Sequence, residues 1–291
     1  MHPEIEIAPA KLNLGLKILR RREDGYHDIV SVLQTVDLCD RLTFTPAGAG
    51  ETLVRCDHPD VPAGPDNLVS RAVEVLRRET GVDRGVRVDL DKRIPTGAGL
   101  GGGSSNAAAT LRALDRRWGL RLGPERLSRL AAELGSDVPF FLTGGTAIAT
   151  GRGERIRPVD WQDEFWYVLV YPGFPVSTAR AYQNVRIGLT ETGAYGTFLD
   201  FAEKSGRICA DRLFACLEND FLPLVEAAGG GVARILEALA AGGAVACSVS
   251  GSGSTLFGVF REARQASAAV VRVQGRGRRV YLCRYRPDCG S

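Results

Sequence analysis

The chain has 291 residues; at about 150 residues per domain this is one large or two medium domains, long enough to bury a core without disulfide or metal staples. Charged residues make up 24% and hydrophobic residues 44%, an ordinary globular composition that argues against long disordered stretches. The 37 basic and 34 acidic residues leave a formal charge of +3, too little for the electrostatic footprint of a dedicated nucleic-acid binder.

Within that balance lysine is scarce: only Lys11, Lys17, Lys92 and Lys204 occur, the other basic residues being arginine. The two are not interchangeable where a compact point charge is needed, so each lysine is a candidate. Glycine, at 35 residues, exceeds the usual share of about 7%. The opening MHPEIEIAPAK has no basic segment leading into an apolar core, so no secretory signal is expected. No apolar run approaches the length of a membrane span, so we expect a cytoplasmic protein with no membrane partner. Seven cysteines without a CxxC pair suggest reduced, mostly buried thiols rather than a disulfide framework or a zinc site.

In chain order, residues 11–19 alternate, with Leu12, Leu14, Leu16 and Ile18 on one face and Lys11, Asn13 and Lys17 on the other. That period of two predicts a strand carrying Lys11 and Asn13 side by side. Asp24-Gly25 marks a turn before a second strand over 29–37. A helix is expected over 67–80, with Asp66 as its N-cap and Gly81 as its stop. A strand through Val86, Val88 and Leu90 leads to a glycine-rich loop at 97–103, then to a helix over 104–118 closed by Gly119. A short helix over 124–135 and strands over 146–150 and 165–171 follow. The polar stretch 160–164 is the expected boundary between domains of residues 1–160 and 161–291. Beyond it we expect helices over 178–185, 211–217, 221–228 and 232–241, strands over 245–249 and 255–260, a helix over 262–271 and a strand over 280–285. Residues 261–291 hold eight arginines against Glu262 and Asp288, read as a solvated sheet face because apolar Val280, Leu282 and Tyr285 interleave with them. Strands and helices mix in both halves, which gives an α+β (mixed α/β) fold class.

The segment Pro95-Thr96-Gly97-Ala98-Gly99-Leu100-Gly101-Gly102-Gly103-Ser104-Ser105 joins a strand to a helix. Glycines let backbone N–H groups close on an anion, and the helix N-terminus adds unpaired donors and the positive end of a dipole. A phosphate cradle is the natural reading. It is no Walker A loop, since Gly103 stands where the lysine belongs. Gly97, Gly99 and Gly102 satisfy GxGxxG, so a nicotinamide-dependent oxidoreductase is an alternative, although nearly a hundred residues precede the motif and no acidic residue ends a strand about 20 residues on. A tight packing turn and a non-catalytic ATP-binding regulator are two further alternatives.

The block Pro95 to Asn106 resembles the nucleotide-binding motif of the GHMP kinases, the galacto-, homoserine, mevalonate and phosphomevalonate kinase superfamily. Ala8-Pro-Ala-Lys-Leu-Asn-Leu, Asp24-Gly-Tyr-His and Gly135-Ser-Asp-Val-Pro-Phe-Phe narrow the resemblance to the branch that phosphorylates a cytidine-diphosphate alcohol. Val249-Ser-Gly-Ser-Gly-Ser-Thr-Leu-Phe resembles the superfamily's third, glycine-rich motif. Thr96 and Ala98 replace residues often Met and Gly in that branch, and residues 188–209 are the least family-like part.

The resemblance implies a two-domain fold with its active site in the cleft between domains, and transfer of the ATP γ-phosphoryl group to a hydroxyl in the presence of Mg2+. It makes Lys11 and Asp137 the catalytic pair, with Asp137 taking the hydroxyl proton and Lys11 stabilising charge on the transferred group. On residues alone, Asp137 is equally a helix cap and Lys11 an exposed strand lysine. Ser104 or Ser105 would reach a phosphate oxygen or the metal, or serve as N-caps; no second metal ligand is evident. Asn13, Tyr26, His27, Thr178 and Tyr182 are the implied substrate residues, the two tyrosines facing across a cytosine that His27 reads by hydrogen bonding. Tyr182 fits helix-core spacing equally well. Gly251, Ser252 and Gly253 would bring a second backbone to the phosphates, or form a hairpin turn. Either a monomer or a homodimer fits.

Overall fold

The computed structural model describes residues 3–62, 64–185 and 206–289, so most of the least family-like segment lies outside the described residues. Strand β1 (Glu4–Arg21) pairs antiparallel with β2 (His27–Ala47), Lys11 opposite Thr35. Both run well beyond the strands expected from alternation, because every side chain from Ala8 to Leu16 is buried and the two-sided burial blurs the period. Along its other edge β2 carries β4 (Gly85–Asp91) and β5 (Thr146–Gly151) end to end. Two four-residue strands that the sequence does not announce complete this sheet: β3 (Thr52–Arg55), parallel to β4, and β6 (Arg155–Pro158), beside β5.

Three helices cover one face. Helix α1 (Leu68–Thr80) is capped by Asn67, whose Oδ1 accepts the Val69 N–H at 2.8 Å; Asp66, the expected cap, instead closes a 3-10 turn at Gly64–Asp66. Helix α2 (Gly102–Trp118) begins two residues before the expected start. Gly101, at φ 69°, carries the chain into it and no side chain caps it, so Ser104 and Ser105 lie inside the first turn. Helix α3 (Pro124–Leu134) follows, and Val73, Leu76, Leu111, Leu114 and Leu130 pack with Phe44 and Val88 of the sheet.

The short helix α4 (Phe140–Thr143) precedes β5, and the chain then crosses to a second, antiparallel sheet of β7 (Trp166–Tyr171), β8 (Ala246–Val249), β9 (Leu256–Phe260) and β10 (Arg279–Arg284), in the order β10-β7-β9-β8. The crossing segment is anchored by Trp161, buried against Phe165 and Phe214. Helices α5 (Thr178–Asn184), α6 (Ala210–Ala215), α7 (Leu222–Ala227), α8 (Val232–Ala241) and α9 (Ala263–Arg272) belong to this half. Ile235, Leu239, Ala266 and Ala269 cover one face of the second sheet. Its other face shares a core with the first: Leu12, Leu14 and Val32 meet Tyr167, Leu169, Phe257 and Val259. Burying β1 between the two sheets leaves Lys11 and Asn13 on the opposite face, at the head of a cleft.

All seven cysteines are free, but only Cys283 is fully buried and Cys209 is exposed, which corrects the expectation of mostly buried thiols. Among the described residues no helix is long and apolar enough to cross a membrane.

Candidate active site

A cleft of about 1050 Å³ opens between the first strand, the glycine loop and the second half of the chain. Lys11 lines it with only 4% of its side chain exposed. Its Nζ donates to Asn13 Oδ1 at 2.5 Å and lies 3.4 Å from Asp137 Oδ2. Its backbone N–H donates to Leu100 O at 3.0 Å, which registers β1 against the glycine loop. Asn13 is oriented in turn by Ser31, whose hydroxyl accepts from Nδ2 at 2.8 Å. Asp137 sits in the Gly135–Val138 turn, closed by Val138 N–H on Gly135 O at 3.1 Å. Helix α4 takes Pro139 as its N-cap without a side-chain cap, so the Asp137 carboxylate is not spent on capping. It is 35% exposed and faces the cleft.

The glycines are needed where the loop meets its neighbours. Gly99 (φ 78°) lies so close to Ser250 O that a Cβ would overlap it, and a Cβ on Gly101 (φ 69°) would stand 2.8 Å from the Phe141 ring and 3.0 Å from Lys11 Cγ. The loop thus brings the first N–H groups of α2 to the cleft. Thr96 Oγ1 in the cleft and Ser105 Oγ behind it are buried with no hydrogen-bond partner. Unpaired donors of a helix start, a backbone cradle and orphaned hydroxyls form a set that fits an anionic phosphate group. Ser104 lines the cleft, whereas Ser105 is buried behind it.

Beneath the loop is a buried group that the motifs do not announce. Asp40 Oδ2 accepts from Lys92 Nζ at 2.5 Å and Asn106 Nδ2 at 2.9 Å; its Oδ1 accepts the N–H groups of Arg93 and Ile94. Burial pulls the Lys92 ammonium below its ordinary range while Asp40 pulls it back up. A Cβ on Gly102 would stand 2.8 Å from Lys92 Nζ, so this lysine supports the start of α2 from below. The scarcity of lysine was the only sequence signal for it.

The second glycine segment buttresses the first. Ser250 Oγ donates to Gly99 O at 2.9 Å, and the Thr255 N–H donates to Ala98 O at 3.1 Å. Gly251 and Ser252 reach the cleft, but Gly253 does not: a Cβ on it would meet Val225 and Val249 methyls. The Gly253 carbonyl lies instead against Gly99, where a Cβ would stand 3.0 Å from it.

Beside the second glycine segment Thr178 Oγ1 lies 3.1 Å from Ser252 Oγ, and elsewhere in the cleft His27 stacks on Tyr182 with ring centroids 5.1 Å apart and planes 21° apart. Tyr182 also packs edge-on against Phe221. Tyr26 lines the same cleft, 54% exposed, with the Arg152 guanidinium 4.8 Å above its ring. The turn between them is fixed by Arg22, which bonds Asp24 and Asp28 and holds both carboxyls below their usual range. Burial, then Arg21, holds the His27 imidazole below its ordinary 6.5, so the ring is neutral at pH 7. Arg21 and Arg152 line the cleft without any sequence signal. Among the described residues no group of three or more His, Cys, Asp or Glu side chains converges as a metal site.

The profile described as GHMP kinases N terminal domain matches residues 67–145, and that described as GHMP kinases C terminal matches 193–278. The 4-diphosphocytidyl-2-C-methyl-D-erythritol kinase of Pelotomaculum thermopropionicum is 41% identical over 278 residues, covering 96% of each chain. The chain belongs to the 4-diphosphocytidyl-2-C-methyl-D-erythritol kinase family of GHMP kinases. The Bacillus subtilis kinase of the same name is 40% identical over 88% of each chain. A crystal structure of a 4-(cytidine 5'-diphospho)-2C-methyl-D-erythritol kinase superposes with a TM-score of 0.80 at 33% identity, covering 97% of this chain and 99% of that one. Homoserine kinase from Cytophaga hutchinsonii superposes at 0.79 but with 17% identity, which speaks to fold alone. Family membership makes this GHMP kinase a small-molecule kinase that uses ATP.

Proposed function

We propose that this GHMP kinase transfers the γ-phosphoryl group of ATP to the 2-hydroxyl of 4-diphosphocytidyl-2-C-methyl-D-erythritol, giving the 2-phosphate and ADP in non-mevalonate isoprenoid precursor synthesis. The observation that carries this reading is one cleft lined by Lys11 and Asp137, by a glycine cradle at the start of α2, and by the stacked His27 and Tyr182. The names of the family's relatives supply the substrate.

In this reading Asp137 takes the proton of the acceptor hydroxyl as the new P–O bond forms, and Lys11 stabilises negative charge on the transferred group and the hydroxyl oxygen. Positioning and charge neutralisation dominate because the transition state is loose and its charge is spread over phosphoryl oxygens. Residues 95–104, with Ser105 behind them, hold the nucleotide. Mg2+ bound with the nucleotide would neutralise phosphate charge, and Ser104, which lines the cleft, is the hydroxyl that would meet it. His27 presents a neutral imidazole to the base edge, and Tyr26 and Tyr182 give aromatic surface to the cytosine. Asn13, Thr178, Gly251 and Ser252 meet the alcohol end. An intracellular, cytoplasmic enzyme acting as monomer or homodimer is consistent with this chemistry.

A coupled ADP-release assay across the cytidylated alcohol, mevalonate, homoserine and a hexose tests the reading. Turnover of the cytidylated alcohol alone is expected. Turnover of another alcohol in its place would overturn the substrate, and NADH-dependent chemistry without ADP release would overturn the class.

A further inference from the structure

The motifs leave residues 218–221 without a role, yet this stretch reaches the catalytic pair by two routes. On one side it adds a second partner to β1 at Leu16, which also stays registered against Ser31 of β2. The β1–β2 register shifts between Asn13 and Leu16, and at Leu16 the backbone also bridges to this segment. Its N–H donates to Glu218 O at 2.8 Å and its carbonyl accepts the Asp220 N–H at 3.0 Å. Lys17 flanks the junction, 3.5 Å from Glu218 Oε2 and 3.2 Å from Asp220 Oδ1.

On the other side the Asn219 side chain, in a residue only 6% exposed, reaches the second glycine segment. Its Nδ2 donates to Val249 O at 2.8 Å and to Gly251 O at 3.0 Å, while its Oδ1 accepts the Phe221 N–H at 2.9 Å. Gly251 is the residue that lies against the catalytic lysine: a Cβ on it would stand 3.1 Å from Asn13 Oδ1 and 3.3 Å from Lys11 Nζ. Asn219 does not itself line the cleft, and both ends of its amide are engaged by backbone. A carboxylate in its place would set oxygen against two carbonyl oxygens, and a serine offers one donor where two are used.

We propose that Asn219 is a positioning residue for phosphoryl transfer: its side chain holds the Gly251 backbone against Lys11 and Asn13, while the backbones of its neighbours Glu218 and Asp220 pin the strand that carries them. The inference rests on the kinase reading of this cleft. The nucleotide loop touches the second glycine segment through Ser250 and Thr255, but the Lys11 N–H on Leu100 and the Asp40 cluster under α2 support it independently, so loosening Asn219 weighs more on the reacting geometry than on nucleotide binding.

The test compares Asn219→Asp and Asn219→Ser with Lys17→Met, which breaks the flanking ion pairs but leaves the Asn219 bonds. Melting temperature, direct ATP binding, and kcat and KM for the cytidylated alcohol are measured on each. A misplacement of about 1 Å costs about 10²-fold, so kcat in the Asn219 variants is expected to fall about 10- to 100-fold while ATP affinity stays within about twofold. Lys17→Met is expected to lower the melting temperature with little change in kcat. Folded Asn219 variants with kcat within about threefold of wild type, a scale too small for a lost transition-state geometry, would overturn the proposal. So would an equal loss of ATP affinity, or failure of both variants to fold while Lys17→Met folds. A wild-type protein that does not turn over the cytidylated alcohol would overturn the functional reading and this inference together, whereas active wild type with unaffected Asn219 variants overturns only the inference.

Discussion

Lys11 is nearly withdrawn from water, and its neighbours leave room for an ammonium but not for a larger head group. Asn13 Oδ1 is 2.5 Å from Nζ, and Gly101 and Gly251 approach the side chain with no Cβ of their own. Lys11→Arg puts a planar, five-donor guanidinium into that space. We expect kcat to drop at least about 10-fold, at the lower end for a misplaced catalytic group, with the protein still folded; near-normal kcat would reduce Lys11 to a general electrostatic role. His27 gives a pH signature. Because its pKa lies below 6.5, KM for the cytidylated alcohol should be flat at and above neutral pH and rise as acid protonates the ring. His27→Gln should remove that acidic rise, and an identical profile in the variant would take His27 out of base recognition.

At the scale of elements, the glycine loop and α2 were legible because the chemistry is local: five glycines between a strand and a helix leave few readings. The start of α2 was not, since a serine pair is a good cap on propensity and only the backbone shows Gly101 turning the chain in. Asp66 and Asn67 are both cap formers, and nothing in the sequence tells which side chain meets the Val69 N–H. Strands β3 and β6 are short and half exposed, and their pairing with β4 and β5 comes from the tertiary fold rather than from local pattern. Asn219 was invisible for the same reason: its partners are carbonyls thirty and thirty-two residues away. Gly101→Ala tests the loop itself. A side chain at positive φ costs about 1–2 kcal/mol, and here the added methyl also meets Phe141, so the melting temperature should fall and ATP should bind more weakly. Unchanged ATP affinity would mean that the loop's shape is set elsewhere.

Over the whole molecule, the two sheets share a core rather than facing each other across water. Tyr167, fully buried in the second sheet, donates its hydroxyl to Gln34 Oε1 of the first, and Gln34 Nε2 donates to Thr146 Oγ1 at 2.9 Å. Tyr167→Phe leaves that amide oxygen without its donor, a loss of about 1–3 kcal/mol. Because the core is continuous, calorimetry should show one unfolding transition that moves down as a unit; two separating transitions would contradict the shared core. The chain passes from the first sheet to the second near 160–164, and the two sheets meet in one interior there. In the proposed reaction the 3.4 Å lysine–aspartate pair acts on the acceptor hydroxyl. The most direct test is Asp137→Asn, with kcat for 4-diphosphocytidyl-2-C-methyl-D-erythritol and ATP affinity measured on the same preparation. The account predicts kcat lower by about 10²- to 10⁴-fold, the range for a positioned acid–base group, with ATP binding retained; a kcat equal to wild type would contradict it.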